Sequence, residues 1–176
     1  MIETCDICHA SALEKIYEPS GGGRGLSVYL CSNCGLVQSL PRADRAPRRS
    51  AAVSSGADWG NVRYGKGFRT EACLKRLGTH ADLGQPLSVL DVGSNRGSFA
   101  RALLAAAPNA QLTCVEPDER VVQSCAGLER TTLVHARIED AALAEESFDV
   151  VHSCHTIEHL ASPYAVLTDH WRTLKQ

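Results

Sequence analysis

The chain has 176 residues, 44% of them hydrophobic, and a formal net charge of −2; this composition fits one globular domain with a small appendage. The slightly acidic balance argues against a surface built to grip nucleic-acid phosphates. Met1 to Ala10 lacks a basic start followed by an apolar core, and no run approaches the roughly 18 apolar residues of a spanning helix, so the expected location is the cytoplasm, with no membrane partner.

The first element in chain order is a pair of cysteine turns. Cys5-Asp6-Ile7-Cys8 and Cys31-Ser32-Asn33-Cys34 are separated by 22 residues. Two such turns aim four thiolates at one ion, which predicts a structural Zn2+ site with Cys5, Cys8, Cys31 and Cys34 as ligands. A segment of about 40 residues buries too little core to fold on packing alone, and a metal supplies what is missing. A disulfide pair and redox thiols are the alternatives, disfavoured without a secretory signal. Gly35 eases the second turn, Gly21 to Gly23 are expected to loop out between two hairpin strands, and His9 reads as solvated. Residues 1–40 are thus read as a small zinc ribbon.

Residues 41–80 are read as a linker and a packing helix. Pro41 to Gly60 is rich in Ala, Ser, Arg and Pro without a periodic apolar face. Its Arg42, Arg45, Arg48 and Arg49 have no interleaved aromatic residues, so a solvated linker is expected and nucleic acid is not the expected partner. Lys66 to Leu77 then has helical spacing, with Phe68, Ala72 and Leu77 among its apolar residues.

Leu87 to Val92 is a short apolar run suited to a strand buried on both faces, and Gly93 and Gly97 follow where the backbone must turn sharply. A helix from Phe99 to Ala107 ends at Pro108-Asn109, and a second strand from Gln111 to Val115 ends at Glu116-Pro117. In open parallel sheets ligands sit beyond the carboxyl ends of the strands, where Glu116 can bond ribose hydroxyls. A dinucleotide fingerprint needs G-x-G-x-x-G, and Asn95 and Ser98 stand where two of its glycines would be. An ordinary glycine turn in another α/β protein is the alternative from this motif alone.

Further on, Ser147-Phe148-Asp149-Val150-Val151-His152 is followed by Ile157-Glu158-His159-Leu160-x-x-Pro163. These segments and Asp91-x-Gly93-x-x-x-Gly97, in this order, resemble class I S-adenosylmethionine-dependent methyltransferases. The resemblance implies a Rossmann-like α/β fold whose sheet orders as 3-2-1-4-5-7-6, and this chain has candidates for strands 3-2-1-4. It implies that Asp91, Gly93, Ser94, Asn95 and Gly97 surround the methionine part of S-adenosylmethionine, that Glu116 holds the ribose, and that Ile138 and Glu139, within Arg137 to Asp140, border the adenine. Asn95 departs from the family's glycine, although asparagine tolerates left-handed backbone.

His155-Thr-Ile-Glu158-His159 also fits the inverted zinc-protease pattern H-x-x-E-H. It lies just after a strand and just before the helix start Ser162-Pro163, which leaves little room for a long metal-binding helix. In the methyltransferase reading His155 and His159 lie at the pocket rim as candidate proton acceptors, while capping is an equal role for Glu158 and His159. Cys73, Cys114, Cys125 and Cys154 share no close spacing and read as small buried side chains or simple thiols.

The last helix presents Val166, Leu167, His170, Trp171 and Leu174 on one face. Residues 81–176 therefore read as the cofactor half of a methyltransferase domain, with Phe148 to Ser153 an edge strand open to self-association. The chain is expected to be a fragment or truncated product with weak or no activity of its own. The ribbon ending in Cys34-Gly-Leu-Val-Gln38 resembles that of bacterial enzymes that methylate nucleotide-linked sugars, and less closely that of ribosomal RNA methyltransferases. A small-molecule acceptor is expected; an inactive zinc-ribbon binding module is the non-enzymatic alternative.

Overall fold

The structure, a computed structural model, describes residues 3–19, 26–40, 66–119 and 123–176. The linker expected over Pro41 to Gly60, with its arginines, and the glycine loop Gly21 to Gly23 lie outside the described residues. The chain divides into two compact units, residues 1–47 with 158–168 and residues 48–157 with 169–176. No helix among the described residues is long and apolar enough to cross a membrane.

The first unit holds β1 (Leu13–Tyr17), β2 (Ser27–Cys31) and β3 (Val37–Leu40), an antiparallel sheet in that order. Its strands expose large apolar side chains: Ile16, Tyr17 and Val37 are each half exposed or more. Among the described residues before Lys66, the buried apolar side chains are only Cys5, Cys31 and Leu40. Two tight turns replace a core. His9 N–H donates to Cys5 O at 3.0 Å and Gly35 N–H to Cys31 O at 2.8 Å, and both residues take positive φ, 58° and 78°. His9 is thus the counterpart of Gly35, holding a left-handed position that glycine fills at lower cost. Gln38 ties the first turn to β3, accepting from Asp6 N–H at 2.9 Å and donating to Thr4 O at 3.3 Å.

The second unit holds α1 (Lys66–Leu77), β4 (Ser88–Val92), α2 (Ser98–Ala106), β5 (Gln111–Val115), β6 (Thr131–Val134) and β7 (Val150–Ser153). The four strands form a parallel sheet ordered β6-β5-β4-β7, the expected 3-2-1-4 arrangement. Val89, Leu90, Asp91 and Val92 are all buried, as a central strand covered on both faces requires. Phe99, Ala100, Leu103 and Leu104 form the buried stripe of α2 and pack with Val89, Leu112 and Cys114. The carbonyls at the end of α2 are met by one guanidinium: Arg130 donates to Leu104 O, Ala107 O and Ala110 O at 3.1 to 3.2 Å. A cation there also complements the helix dipole.

The last strand starts later than its apolar run suggests. Phe148 belongs to a parallel bridge with Leu174, its N–H donating to Thr173 O and its carbonyl accepting from Lys175 N–H, so regular β7 pairing begins at Val150 rather than Phe148. The final helix, α3 (Pro163–Thr173), starts where Ser162 Oγ accepts from Ala165 N–H at 3.2 Å. Its expected apolar face is corrected. Val166, His170 and Thr173 are buried, whereas Leu167 and Trp171 lie on the neighbouring stripe and are 45% and 66% exposed. Burial pushes the His170 imidazole below its ordinary pKa.

Asp149 pins the start of β7 to β4, accepting from Ser88 N–H at 2.7 Å and from Lys175 Nζ at 2.9 Å. Partial desolvation alone would raise this carboxyl; the Lys175 ammonium and the Ser88 N–H outweigh it and hold the group below the usual aspartate range. A depressed folded-state pKa contributes stability above the unfolded value that is lost as pH falls through the folded one. Denaturant unfolding from pH 6 down to about pH 2 is therefore expected to show a loss of stability beginning near pH 4, and Asp149→Asn is expected to be less stable at pH 6 with a shallower acid loss.

Candidate cofactor site and metal centre

The carboxyl ends of β4 and β5 are drawn together by the turn that follows β4. Gly93 N–H and Ser94 N–H both donate to Val115 O, at 2.9 and 3.2 Å. Gly93, Asn95 and Gly97 then take positive φ of 72°, 49° and 71°. The glycines are also required by packing: a Cβ on Gly93 would fall on Thr156, and one on Gly97 on the Cys125 thiol. Asn95 tolerates its left-handed position by folding back on the turn, its Oδ1 accepting from Arg96 N–H at 2.7 Å.

Glu116 closes this turn. Its Oε2 accepts from Asn95 N–H at 3.0 Å and its Oε1 from Asp118 N–H at 3.2 Å. Asp91, Gly93, Ser94, Asn95, Gly97 and Glu116 therefore sit at one end of the sheet, where open α/β folds bind ligands. Ile138 and Glu139 follow β6 in a short 3-10 turn, Ile138–Asp140, with Ile138 buried and Glu139 exposed. His155 follows β7 with φ of 55° and an exposed side chain, and His159 is exposed at the end of the 3-10 turn Ile157–His159. No α-helix carries the pair, so the H-x-x-E-H match lacks the helical face that a zinc protease needs.

One member of the site had no signal in the glycine motif. His152, opposite Asp91 on the neighbouring strand, donates from Nδ1 to Asp91 Oδ1 at 2.8 Å, and its ring stacks on Phe99 at 3.6 Å between centroids. A carboxylate can only accept, which fixes the direction of that bond. Asp91 Oδ2 and Ser94 Oγ are buried and find no hydrogen-bond partner among the described residues. Buried polar atoms of this kind are costly, and a ligand group can satisfy them. Beneath the turn, the hydrogen bond from Cys114 holds the Cys125 thiol down to about 7, whereas Cys114 itself is pushed well up.

In the first unit Cys5 Sγ lies 3.5 Å from Cys34 Sγ, and Cys8 Sγ lies 3.6 Å from Cys31 Sγ. All four sulfurs fall within 4.8 Å of one another. A zinc tetrahedron with bonds of about 2.3 Å has sulfur edges of about 3.8 Å, so the cluster has the size a zinc ion needs. Its thiols are electrostatically divided. The Asn33 side chain, with the Ala10 backbone, brings Cys8 down to about 6. At Cys34 the Leu36 backbone pulls the pKa down, but desolvation and the three neighbouring thiols push it up to about 12. Four thiolates cannot ionise together at this spacing without a cation between them. A second group, Cys73, His152 and Cys154, lies in the other unit with its ligand atoms also within 4.8 Å. The distance in sequence from Cys73 to His152 and Cys154 concealed it.

Residues 90–176 match the family model described as a methyltransferase domain. An uncharacterized methyltransferase of Mycolicibacterium vanbaalenii is 41% identical over 81 residues, covering 44% of this chain and 31% of that protein. The chain thus spans under a third of this curated relative. Among solved structures, a SAM dependent methyltransferase from Aquifex aeolicus superposes with a TM-score of 0.51 at 21% identity, over 60% of this chain and 58% of that one. The plantazolicin methyltransferase BpumL in complex with SAH gives a TM-score of 0.51 at 19% identity, over 60% of this chain and 40% of its own. At these identities the likeness is one of fold. With the family match over residues 90–176, the 3-2-1-4 sheet and the glycine turn closed by an acidic residue, the second unit has the Rossmann-like fold of a class I methyltransferase core.

Proposed function

We propose that this chain binds S-adenosylmethionine at the carboxyl end of its parallel sheet and serves methyl transfer to a small-molecule acceptor, a nucleotide-linked sugar. The observation that carries the reading is the Glu116 carboxylate held against the Asn95 N–H of the glycine turn. A carboxylate is an acceptor-only group of the kind that ribose hydroxyls donate to. The unpartnered Asp91 Oδ2 and Ser94 Oγ suit the polar methionine end, with Gly93 and Gly97 shaping the backbone beside it. Buried Ile138 offers an apolar wall for the adenine, and Glu139 follows it at the rim. The bound cofactor supplies an electrophilic methyl group on a sulfonium centre. The residues of the chain orient it and exclude water, and alignment of the two reactants carries much of the rate enhancement. His155 and His159 are assigned as acceptors for a proton that the nucleophile loses.

The acceptor assignment rests on the run Cys34-Gly-Leu-Val-Gln38, in which Gln38 braces the first cysteine turn, and on the mildly acidic charge balance. The ribbon of residues 1–40 is assigned a structural zinc, bound by Cys5, Cys8, Cys31 and Cys34. Residues 41–80 are assigned as connection and packing helix, and residues 81–176 as the cofactor half-domain. A cytoplasmic location keeps these thiols reduced.

Titration calorimetry with S-adenosylmethionine is expected to show one site per chain. Glu116→Ala is expected to weaken it about tenfold or more, since a hydrogen bond to a charged group contributes about 1.5–3 kcal/mol. Unchanged affinity in that variant, or no heat from the folded wild type, would reject the cofactor site. For the ribbon, Cys34→Ser is expected to remove one zinc per chain and loosen the first unit while the parallel sheet keeps its circular dichroism. A ribbon that stays folded and protease-resistant without metal would refute the zinc assignment.

A further inference from the structure

Cys73, His152 and Cys154 come from two separate places: the middle of α1, and the end of β7, where His152 is the third strand residue and Cys154 follows the strand directly. The fold brings them together so that one ligand atom from each lies within 4.8 Å of the others, and all three are partly buried. A thiol pair with an imidazole is the donor set of zinc sites that keep a fourth position open.

The imidazole is the informative member. Its Nδ1 is committed to Asp91 Oδ1 at 2.8 Å. In the neutral ring this leaves the lone pair on Nε2, which is buried and finds no hydrogen-bond partner among the described residues. A histidine oriented by a carboxylate through one nitrogen, with the other nitrogen bare, is the arrangement that metal-binding histidines adopt. Phe99, stacked on the ring at 3.6 Å, removes its remaining freedom to turn. The thiolate and imidazole set favours a thiophilic ion over magnesium or calcium, which prefer oxygen ligands.

Beside the cluster is a cavity of about 560 Å³ whose walls include Cys73, His152, Arg76 and His80. It gives an ion a way in and gives a solvent-derived fourth ligand room. Tetrahedral donor edges of about 3.8 Å mean that no pair of these donors has to close by more than about 1 Å.

We propose that Cys73, His152 and Cys154 form a second metal site, distinct from the four-cysteine ribbon, that takes one zinc-class ion through two thiolates and His152 Nε2. On binding, the two thiols release their protons to solvent as the sulfur–metal bonds form, and no redox change takes place. The ion would tie α1 to the end of β7 and make Asp91 the outer partner of a metal-bound histidine.

The full chain, loaded with Zn2+, freed of excess ion and assayed by plasma mass spectrometry, tests this. Wild type is expected to hold one zinc per chain more than Cys73→Ser and one more than Cys154→Ser, each checked for an unchanged fold by circular dichroism. Cys34→Ser reports the ribbon separately, so failure of either site is distinguishable from failure of the other. A Co2+ titration of the wild type gives an independent reading that decides if a variant does not fold. Two successive visible spectra, one of a four-sulfur site and one of a mixed sulfur–nitrogen site, are expected. Equal zinc content in wild type and folded Cys73→Ser and Cys154→Ser, or a cobalt titration that saturates with the four-sulfur spectrum alone, would overturn the proposal.

Discussion

A carboxylate stands buried in the middle of a parallel sheet, and much of the second unit is arranged around it. Asp91 is 2% exposed on a central strand, flanked there by Val89, Leu90 and Val92. Burying a carboxylate without partners is costly enough to oppose folding. One oxygen is answered by His152 from the next strand, which fixes a ring that Phe99 then covers. The other oxygen has no partner among the described residues, and it lies two residues before the glycine turn. Asp91 therefore links the two chemical features of the unit. Toward the turn it faces the proposed cofactor site, and through His152 it orients the donor set formed with Cys73 and Cys154.

The two units are stabilised in different ways. The second has an ordinary core, in which the α2 stripe packs on the sheet and Arg130 gathers the carbonyls at the helix end. The first exposes Ile16, Tyr17 and Val37, and its buried side chains among the described residues are Cys5, Asp6, Cys31, Leu40 and Val166. Apolar burial contributes roughly 25 cal/mol per Å², and this unit has few fully buried apolar side chains to draw on. Its order comes from paired turns at His9 and Gly35 and from the side-chain clamp of Gln38. Four crowded thiols without a cation are a poor substitute for a core, and with one they become its centre.

Much of this was legible in the residues. The sharp apolar runs at 87–92 and 111–115, the glycines after the first and the acid after the second are local signals, and the sheet order came from the family resemblance that they and the later segments carry. The cysteine pairs were legible because each lies within a single turn. What escaped was non-local. The Cys73, His152 and Cys154 group depends on how α1 lies on the sheet, and Arg130 reaches a helix end 20 or more residues away in sequence. The start of β7 was misplaced because Phe148 and Asp149 fit a strand pattern locally while pairing with residues near 174. The face of α3 was misread for a related reason: Leu167 and Trp171 are apolar, but helical geometry puts them beside, and not on, the stripe through Val166, His170 and Thr173.

The central claim is that the glycine turn and Glu116 form one ligand site on a parallel half-sheet. Amide NMR of the chain during titration with S-adenosylhomocysteine, a methyl-free cofactor analogue, tests it most directly, because it reports where the ligand touches. Saturable shifts concentrated at Ser94 to Gly97, Glu116 to Asp118 and Ile138 to Glu139 are the expected result. A folded spectrum that does not respond, or shifts confined to residues elsewhere in the chain, would contradict it.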